Sequence, residues 1–353
     1  MHRSSRSKTS VMFLAKGSAT KMVETKLLRH PAVAAWSRLQ PERVEPDGIE
    51  ILKEKSGSRI YRLLGVGPGA RAVIAKQRRL GPSGSLVERT AYEAVFPRLP
   101  VPALQYFGFV QDEDPQLGWL FLEDAGRTQY SAWLDEHRAL AGRWLACLHC
   151  YGPDADQTRQ LPDYTSARYL DYLQAAHDAI LIGLSNPVLT ANDTDLLRSM
   201  VRLLGRLGSR WNDVEDLSGQ LPLTLALRNF VPRNSLIRSD ERSLNLLIVD
   251  CESLAWANPV CDLAQSHQPF YGPDFSASPD IASYFQVVRD HWPRVDLQTI
   301  QQLANYGTVL RCLATISWDA PFLAMDWASG PMANMRSYHA ILPHAMQMAG
   351  WAV

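Results

Sequence analysis

The sequence predicts an α+β protein with two lobes, a small antiparallel-sheet lobe carrying one helix and a larger, mainly helical lobe. Strand-like alternation fills most of residues 48–122, and helical periodicity dominates after residue 126. The chain has 353 residues, which is long for a single core and suits two lobes.

The predicted elements follow one another in the order that this layout requires. The first lobe is read as a short helix within 31–45 that ends near Pro41, strands near 49–52, 59–64 and 71–76, a helix over 84–99, and strands over 104–110 and 119–122. The second lobe is read as helices near 131–150, 165–182 and 190–208, an irregular strand-like segment over 222–250, and further helices from about 280.

Composition excludes two classes of partner. Apolar residues make up 46% of the chain, and 36 basic side chains balance 36 acidic ones. A net charge of zero removes the electrostatic argument for a nucleic acid or a membrane surface as the main partner. No apolar run approaches the roughly 20 residues that cross a bilayer. We therefore expect no nucleic-acid partner and no membrane segment.

The five cysteines favour a reducing, cytoplasmic setting. Their number is odd, and Cys147 and Cys150 form the only C-x-x-C. These two lie in a segment with the apolar stripe of a helix, so buried small residues are favoured over a redox pair. No second pair lies at zinc-ribbon spacing.

Residues 1–30 are basic, and their apolar stretch at 11–15 is too short for a secretory signal. A disordered tail, or a later start at Met12 or Met22, is favoured over a targeting arm. The sheet lobe is accordingly expected at 31–125 and the helical lobe at 126–353.

The segment around Gly65, Gly67 and Ala70 approximates a dinucleotide-binding fingerprint. A strand follows it instead of a helix, so a hairpin turn is the better interpretation, and a Rossmann protein is disfavoured.

The most informative segment is 225–252. Its apolar stretches at 235–238 and 244–249 predict a hairpin, with Asn234 where the first strand begins and Asp250 where the second ends. Antiparallel pairing would place these two side by side, where an amide oxygen and a carboxylate can hold Mg²⁺ together with phosphates and water. Turn and cap residues are the alternative explanation for the pair.

The spacing in and after this hairpin resembles the aminoglycoside phosphotransferase and choline kinase family, which has a bilobal protein-kinase-like fold. That family carries H-x-D, then four residues and an Asn, a hairpin, a metal-binding Asp with an acid two residues on, and a later D-L-A. Asn234, Asp250 and Glu252 match the middle of this pattern. Asp262, in the segment 258–264, matches the later aspartate, which the resemblance implies braces the catalytic loop.

The resemblance extends to the sheet lobe and implies ATP and Mg²⁺ as cofactors. Lys76 matches the strand lysine that holds the α- and β-phosphates, and Glu88 matches the helix glutamate that pairs with it. Ser56, Gly57 and Ser58 stand at the phosphate-covering turn, and Glu123 stands in the hinge strand, whose backbone would bind adenine.

The chain departs from the family where H-x-D should stand, because it has Leu227, Arg228 and Asn229. The missing aspartate accepts the proton of the hydroxyl being phosphorylated, and such general-base catalysis contributes about 10²–10⁴-fold. We therefore predict that nucleotide binding is retained and that ordinary kinase activity is lost, which describes a pseudokinase acting through a partner or as a conformational switch.

Two alternatives remain, an active O-phosphotransferase on a small-molecule hydroxyl and a scaffold that binds no nucleotide. The acceptor is expected among the C-terminal helices. Residues 296–353 contain three acids, too few for a polycationic aminoglycoside. Trp318, Trp327 and Tyr338 could form an aromatic box for a quaternary ammonium group, although packing in a helical core is favoured.

Overall fold

The computed structural model describes residues 21–23, 27–40, 45–55, 57–81, 84–151, 158–240, 243–265 and 275–351. One antiparallel sheet of six strands forms the amino-terminal lobe, in the spatial order β1-β2-β3-β4-β6-β5. Its strands are β1 (Lys21–Met22), β2 (Gly48–Lys55), β3 (Ser58–Leu64), β4 (Val73–Arg79), β5 (Tyr106–Gln111) and β6 (Leu117–Glu123). The predicted small antiparallel sheet is confirmed.

The two faces of this sheet follow the two-residue period of its strands. Val73 and Ala75 of β4 are fully buried in one apolar cluster, beneath the helix α1 (Pro31–Ser37). Trp36 of α1 anchors that cluster, with its ring 5.3 Å from the ring of Phe121. The alternate residues of β4, which include Lys76, point to the opposite face and toward the rest of the protein.

The second helix of the first lobe changes its winding along its length. It runs as α2 (Ser85–Thr90), then as a π-helical turn (Ala91–Val95) and a 3₁₀ turn (Phe96–Arg98). The prediction of a helix over 84–99 is therefore confirmed. The loop between β3 and β4 is a hairpin connection, as expected, because the two strands pair antiparallel.

Two expectations for the start of the chain need correction. Lys21 and Met22 pair with β2, and Leu27–Arg29 forms a 3₁₀ turn, so a disordered tail reaching residue 30 is wrong for these residues. Residues 1–20 and 24–26 lie outside the described part of the chain. The helix predicted over 31–45 ends at Ser37, where the backbone of Arg38 turns back to the carbonyl of Ala35.

The rest of the chain is mainly helical, as predicted. Its helices are α3 (Asp135–Cys150), α4 (Ser166–Gly183), α5 (Ala191–Gly208), α6 (Trp211–Ser218), α7 (Ile281–Val288), α8 (Leu297–Asp319) and α9 (Ser329–Met348). Short strands lie among them, namely β7 (Asp163–Tyr164), β8 (Thr224–Ala226), β9 (Ser235–Ser239), β10 (Leu244–Ile248) and β11 (Ala255–Ala257). The sequence analysis missed the helix α6 and the strands β7 and β11. The two strands were missed because two or three residues carry almost no periodic signal.

Two small sheets position the functional segment. β9 and β10 pair antiparallel as the predicted hairpin, and β11 lies between β7 and β8. No helix in the described part of the chain is long and apolar enough to cross a bilayer.

The helix α8 is buried along most of its length and packs against the 3₁₀ turn Pro259–Asp262. Gly307 of α8 permits this contact, because a Cβ placed there would overlap the carbonyl oxygen of Val260.

We expect Gly307→Ala to lower the free energy of unfolding by about 3 kcal/mol, since α8 would have to move away from that backbone. Gly205→Ala is the matched control: Gly205 lies in α5 with nothing within 4 Å of an added Cβ, so alanine should stabilise by about 0.5–1 kcal/mol. Denaturant titration measures both. Equal effects of the two substitutions would contradict the close approach at Gly307.

Candidate nucleotide-binding site

A buried ion pair joins the sheet to α2. Lys76 of β4 bonds with Glu88 of α2, and their exposed fractions are 4% and 1%. The lysine Nζ also donates to the carbonyl of Val249, 2.9 Å away, which ties the pair to the end of β10. Ser85 fixes the start of α2 by donating to the carbonyls of β4 at Arg78 and Arg79. Buried charges persist only when such partners are supplied together.

Next to Lys76 opens a cleft of about 500 Å³ between the sheet and the β9–β10 hairpin. One part of its lining is apolar and the other is polar. The apolar lining consists of Leu52, Ile60, Ile74, Leu104, Leu122, Leu236 and Val249. Polar lining includes Lys76, Asn234 and Asp250, together with residues 123–126 at the rim. An apolar slot with a few convergent polar groups is the common form of a small-molecule site.

In the rim segment 123–126, Glu123 already forms hydrogen bonds within the sheet. The backbone N–H of Glu123 donates to the carbonyl of Gln105, and its carboxylate accepts from the backbone N–H of Gln105 and pairs with Arg238. The backbone groups of 124–126 are therefore better placed than Glu123 to meet a ligand edge. Gly126 has φ +87°, which turns the chain away from the rim.

The β2–β3 turn, where the resemblance implies a phosphate-covering turn, does not line this cleft. Gly57 sits in the β2–β3 turn with φ +79°, and Ser58 begins β3 opposite Arg78. Neither lines the cleft, whose contributions from β2 and β3 come from Leu52, Lys53, Ile60 and Arg62. Ser56 lies outside the described residues.

Asn234 and Asp250 are brought together, because the backbone N–H of Val249 donates to the carbonyl of Asn234 across the hairpin, at 2.9 Å. The side-chain amide of Asn234 donates to the carbonyl of Asn229, at 3.0 Å. Because the side-chain nitrogen of Asn234 makes this bond, the side-chain oxygen of Asn234 is the atom that can bind a cation.

This donor set fits magnesium. The amide oxygen of Asn234 and a carboxylate oxygen of Asp250 would hold the ion, with phosphates and water completing its shell. In the described residues no group of three or more His, Cys, Asp or Glu side chains could hold a metal. An ion at this place would neutralise part of the phosphate charge.

An arginine that the sequence analysis did not single out holds the carboxylates of Asp250 and Glu252 after the hairpin. Arg78, two residues after Lys76 on β4, bonds with Asp250 at 2.9 Å and also pairs with Glu252. Burial raises the pKa of Asp250, and Lys76 and then Arg78 lower it, with a net pKa below the usual value. The alternation of β4 predicts that Arg78 lies on the same face as Lys76. Its partner Asp250 lies 172 positions later in the chain, so the sequence does not indicate the pair.

Asp262 organises the loop that follows β8. Its two carboxylate oxygens accept from the backbone N–H groups of Leu227 and Arg228, at 2.6 and 2.7 Å. His149 of α3 contacts the same carboxylate at 3.3 Å, and its other ring nitrogen meets the hydroxyl of Tyr284 at 2.9 Å. All of these groups are buried, so the backbone of the loop is fixed from two helices.

Where the resemblance places H-x-D, the loop is basic. Leu227 is buried, and Arg228 has φ +62° with its guanidinium 3.1 Å from the ring centre of Tyr164. The amide oxygen of Asn229 accepts from the guanidinium of Arg311 on α8, at 3.0 Å. Burial, and after it the nearby guanidinium of Arg233, lower the pKa of Arg311. No motif marks Arg311, and the sequence analysis missed it.

Protein-family models and curated proteins give no match to the chain. Solved structures do. A mutant of aminoglycoside 2′-phosphotransferase IIIa in complex with GDP is 13% identical, over 87% of this chain and 96% of that chain, with a TM-score of 0.59. The ethanolamine kinase of Plasmodium vivax is 10% identical over 85% and 84%, with a TM-score of 0.58. Spectinomycin phosphotransferase in complex with ADP and spectinomycin is 10% identical over 87% and 93%, with a TM-score of 0.55.

The chain has the protein-kinase-like fold of the aminoglycoside phosphotransferases and choline kinases. The fold that the motif spacing implied is confirmed. At these identities the likeness carries the fold and not the substrate.

We expect Asp262→Asn to lower the free energy of unfolding by about 2 kcal/mol. The two buried N–H groups bond to different carboxylate oxygens, and asparagine replaces one of these oxygens by an NH2 group that cannot accept. Asp296→Asn is the control, since Asp296 caps α8 through one bond to the backbone of Thr299 and asparagine caps equally well. Thermal or urea unfolding compares them. Equal losses would show that the two bonds at Asp262 carry no special weight.

We also expect Arg78→Met to destabilise the protein by about 1–3 kcal/mol, less than for a fully buried pair because the carboxylates of Asp250 and Glu252 are partly exposed. Magnesium chloride without nucleotide should restore part of the loss, because the ion can take the place of the guanidinium. The control is Arg59→Met, because the side chain of Arg59 on β3 is exposed. An Arg78 variant as stable as wild type and indifferent to magnesium would refute the role given to Arg78.

Proposed function

We propose that the protein binds ATP and Mg²⁺ in the cleft beside Lys76 but does not carry out ordinary phosphoryl transfer, so that it acts as a pseudokinase. One observation carries the proposal. The Lys76–Glu88 pair is formed beside an open cleft, whereas the group at the base position, Asn229, is an amide held by the cation of Arg311.

Several features support nucleotide binding. The cleft of about 500 Å³ offers apolar walls for a base and Lys76 for phosphates. Asn234 and Asp250 supply oxygen ligands for magnesium, which would lower the charge of the phosphates. Among the solved structures of the same fold, one contains ADP and another contains GDP.

The electrostatics around Asn229 argue against a general base. An amide oxygen accepts a hydrogen bond but takes up no proton at neutral pH. Restoring aspartate at 229 would place the new carboxylate against Arg311, and such a contact favours the ionised form and weakens the base. The loop would therefore need a change at both positions to regain a proton acceptor.

A second candidate is an ATP-dependent phosphotransferase acting on a small-molecule hydroxyl. It is favoured by a second cavity of about 430 Å³ between the loop and the C-terminal helices. Arg233 lines both this cavity and the nucleotide cleft, so ligands in the two places would be neighbours. Turnover distinguishes the candidates.

For nucleotide binding we expect ATP with magnesium, at 100 times its dissociation constant, to stabilise the wild type by about 2.7 kcal/mol. Lys76→Met and Asp250→Asn should lose most of this shift, while Arg198→Met, a change of exposed charge on α5, should keep it. The shift is read within each variant, so a lower starting stability does not disturb it. No shift in the wild type would favour the alternative that the protein is a scaffold that binds no nucleotide.

For turnover we expect ATP consumption near background in the wild type and in Asn229→Asp. The double variant Asn229→Asp with Arg311→Met should gain activity, within the roughly 10²–10⁴-fold that a general base contributes. Wild-type transfer at ordinary kinase rates that disappears in Asp250→Asn would overturn the pseudokinase proposal and favour the phosphotransferase.

A further inference from the structure

The second cavity, called here the α8–α9 cavity, lies among the C-terminal helices beside Asn229. Its lining includes Arg233, Arg311, Thr315, Trp318, Asp319 and Tyr338. Arg311, Thr315 and Asp319 are spaced four residues apart on α8 and therefore share one face of that helix. A volume of about 430 Å³ suits a small metabolite.

Arg311 is a buried cation whose bonded partners in the described part of the chain are all neutral. Its exposed fraction is 6%, and its guanidinium donates to the carbonyls of Phe275 and Arg228 and to the amide oxygen of Asn229, at 3.1, 3.2 and 3.0 Å. A guanidinium has five N–H donors, so these three contacts leave two. The ring of Trp318, at 5.5 Å, adds a cation–π contact but no negative charge.

A buried charge without a counter-charge is expensive unless something else supplies one. The carboxylate of Asp262 is close enough to raise the pKa of Arg311, but its hydrogen bonds go to the backbone N–H groups of Leu227 and Arg228. Among the described residues no ion pair joins Arg311 to a carboxylate. The cavity into which Arg311 opens is therefore the natural place for an anionic group. Arg233 adds a second guanidinium to the same lining.

The other end of the cavity has the opposite character. Asp319 lies eight residues after Arg311, about 12 Å along the axis of α8. Its Oδ2 accepts from the hydroxyl of Tyr338 at 2.7 Å and from the amide of Asn334 at 2.9 Å. At this end Asp319 and Tyr338 offer oxygen atoms that can hydrogen-bond to hydroxyl groups of a ligand. The negative charge of Asp319 repels any second anionic group of that ligand. A ligand that fits both ends has one anionic group and hydroxyls away from it.

We propose that the α8–α9 cavity binds a small monoanionic hydroxycarboxylate, with its carboxylate on Arg311 and its hydroxyl groups toward Asp319 and Tyr338. A single carboxylate is favoured over a phosphate dianion, because Asp319 lines the same cavity and repels a second negative charge. The cavity is distinct from the nucleotide cleft, although Arg233 lines both, and the proposal does not depend on nucleotide binding. It gives the protein a small-molecule ligand that can be bound without being phosphorylated.

The test compares three six-carbon probes of similar size and different charge, at constant ionic strength. D-gluconate is the anion, D-sorbitol is neutral, and D-glucosamine is the cation; glycerate and lactate extend the anion series. We expect at least one of the hydroxycarboxylates to raise the melting temperature with saturation, and no shift from sorbitol or glucosamine. Inorganic phosphate and glycerol 3-phosphate form a separate arm. Stabilisation by these phosphates alone, or by glucosamine, would overturn the assignment.

Variants then locate the site. Arg311→Gln should weaken binding of the stabilising carboxylate by about tenfold or more, as expected for loss of a charge-assisted bond. Because Arg311 also holds the loop, Asp319→Asn serves as a second variant: it removes the negative end, so carboxylate binding should be kept and phosphates should bind better than to wild type. Arg206→Gln, an exposed change on α5, should change nothing.

Three further results would also refute the proposal. They are that no hydroxycarboxylate stabilises the wild type, that binding is undiminished in folded Arg311→Gln, or that Asp319→Asn abolishes carboxylate binding. Lys76→Met separates this proposal from the preceding one. A variant that loses its response to ATP but keeps its response to the carboxylate shows two independent sites. A wild type that responds to the carboxylate and never to ATP would overturn the nucleotide proposal alone.

Discussion

The carboxylate of Asp262, bonded to the backbone N–H groups of Leu227 and Arg228, is the contact on which the geometry of the site depends. It lies where the 3₁₀ turn Pro259–Asp262, β8 and α3 meet, and His149 closes the contact from the helix side. Buried backbone N–H groups must find acceptors, and this loop finds them in one side chain rather than in a strand partner. The positions of Asn229 and Asn234 follow from that fixed backbone.

The charge around this loop is the reverse of what a general base requires. The sequence places Arg228 and Asn229 at the loop, and the fold adds Arg311 from a helix that begins about 70 residues later. Asn229 Oδ1 takes one hydrogen bond of Arg311, and backbone carbonyls take two more. An amide at 229 and an arginine at 311 are thus mutually consistent, and the same cation turns the neighbouring cavity into a place for an anion. Arg311 therefore contacts Asn229 in the loop and also lines the cavity.

Arg78 plays a comparable part on the nucleotide side. It neutralises Asp250 and Glu252, the two acids at the end of the hairpin, before any ion binds. Lys76 pairs with Glu88, and Arg78 pairs with Asp250 and Glu252, so the charges beside the cleft are matched. A buried set of this kind is stable only while every member keeps its partner. The cleft is therefore organised in the absence of a ligand.

The sheet lobe, the helical lobe and the hairpin of β9 and β10 could be predicted from the sequence, because they depend on local periodicity. The resemblance to a known family, carried by the order of motifs along the chain, then singled out Lys76, Glu88, Asn234, Asp250 and Asp262. The pairing partners of Arg78 and Arg311 could not be predicted, because they lie 172 and 82 positions away and no motif links them. The sequence by itself placed an asparagine at 229, where the family resemblance implies an aspartate. Only the tertiary structure decided that Arg311 bonds to Asn229. The approach of α8 to the loop is set by packing between Gly307 and Val260 and not by any pattern near residue 229.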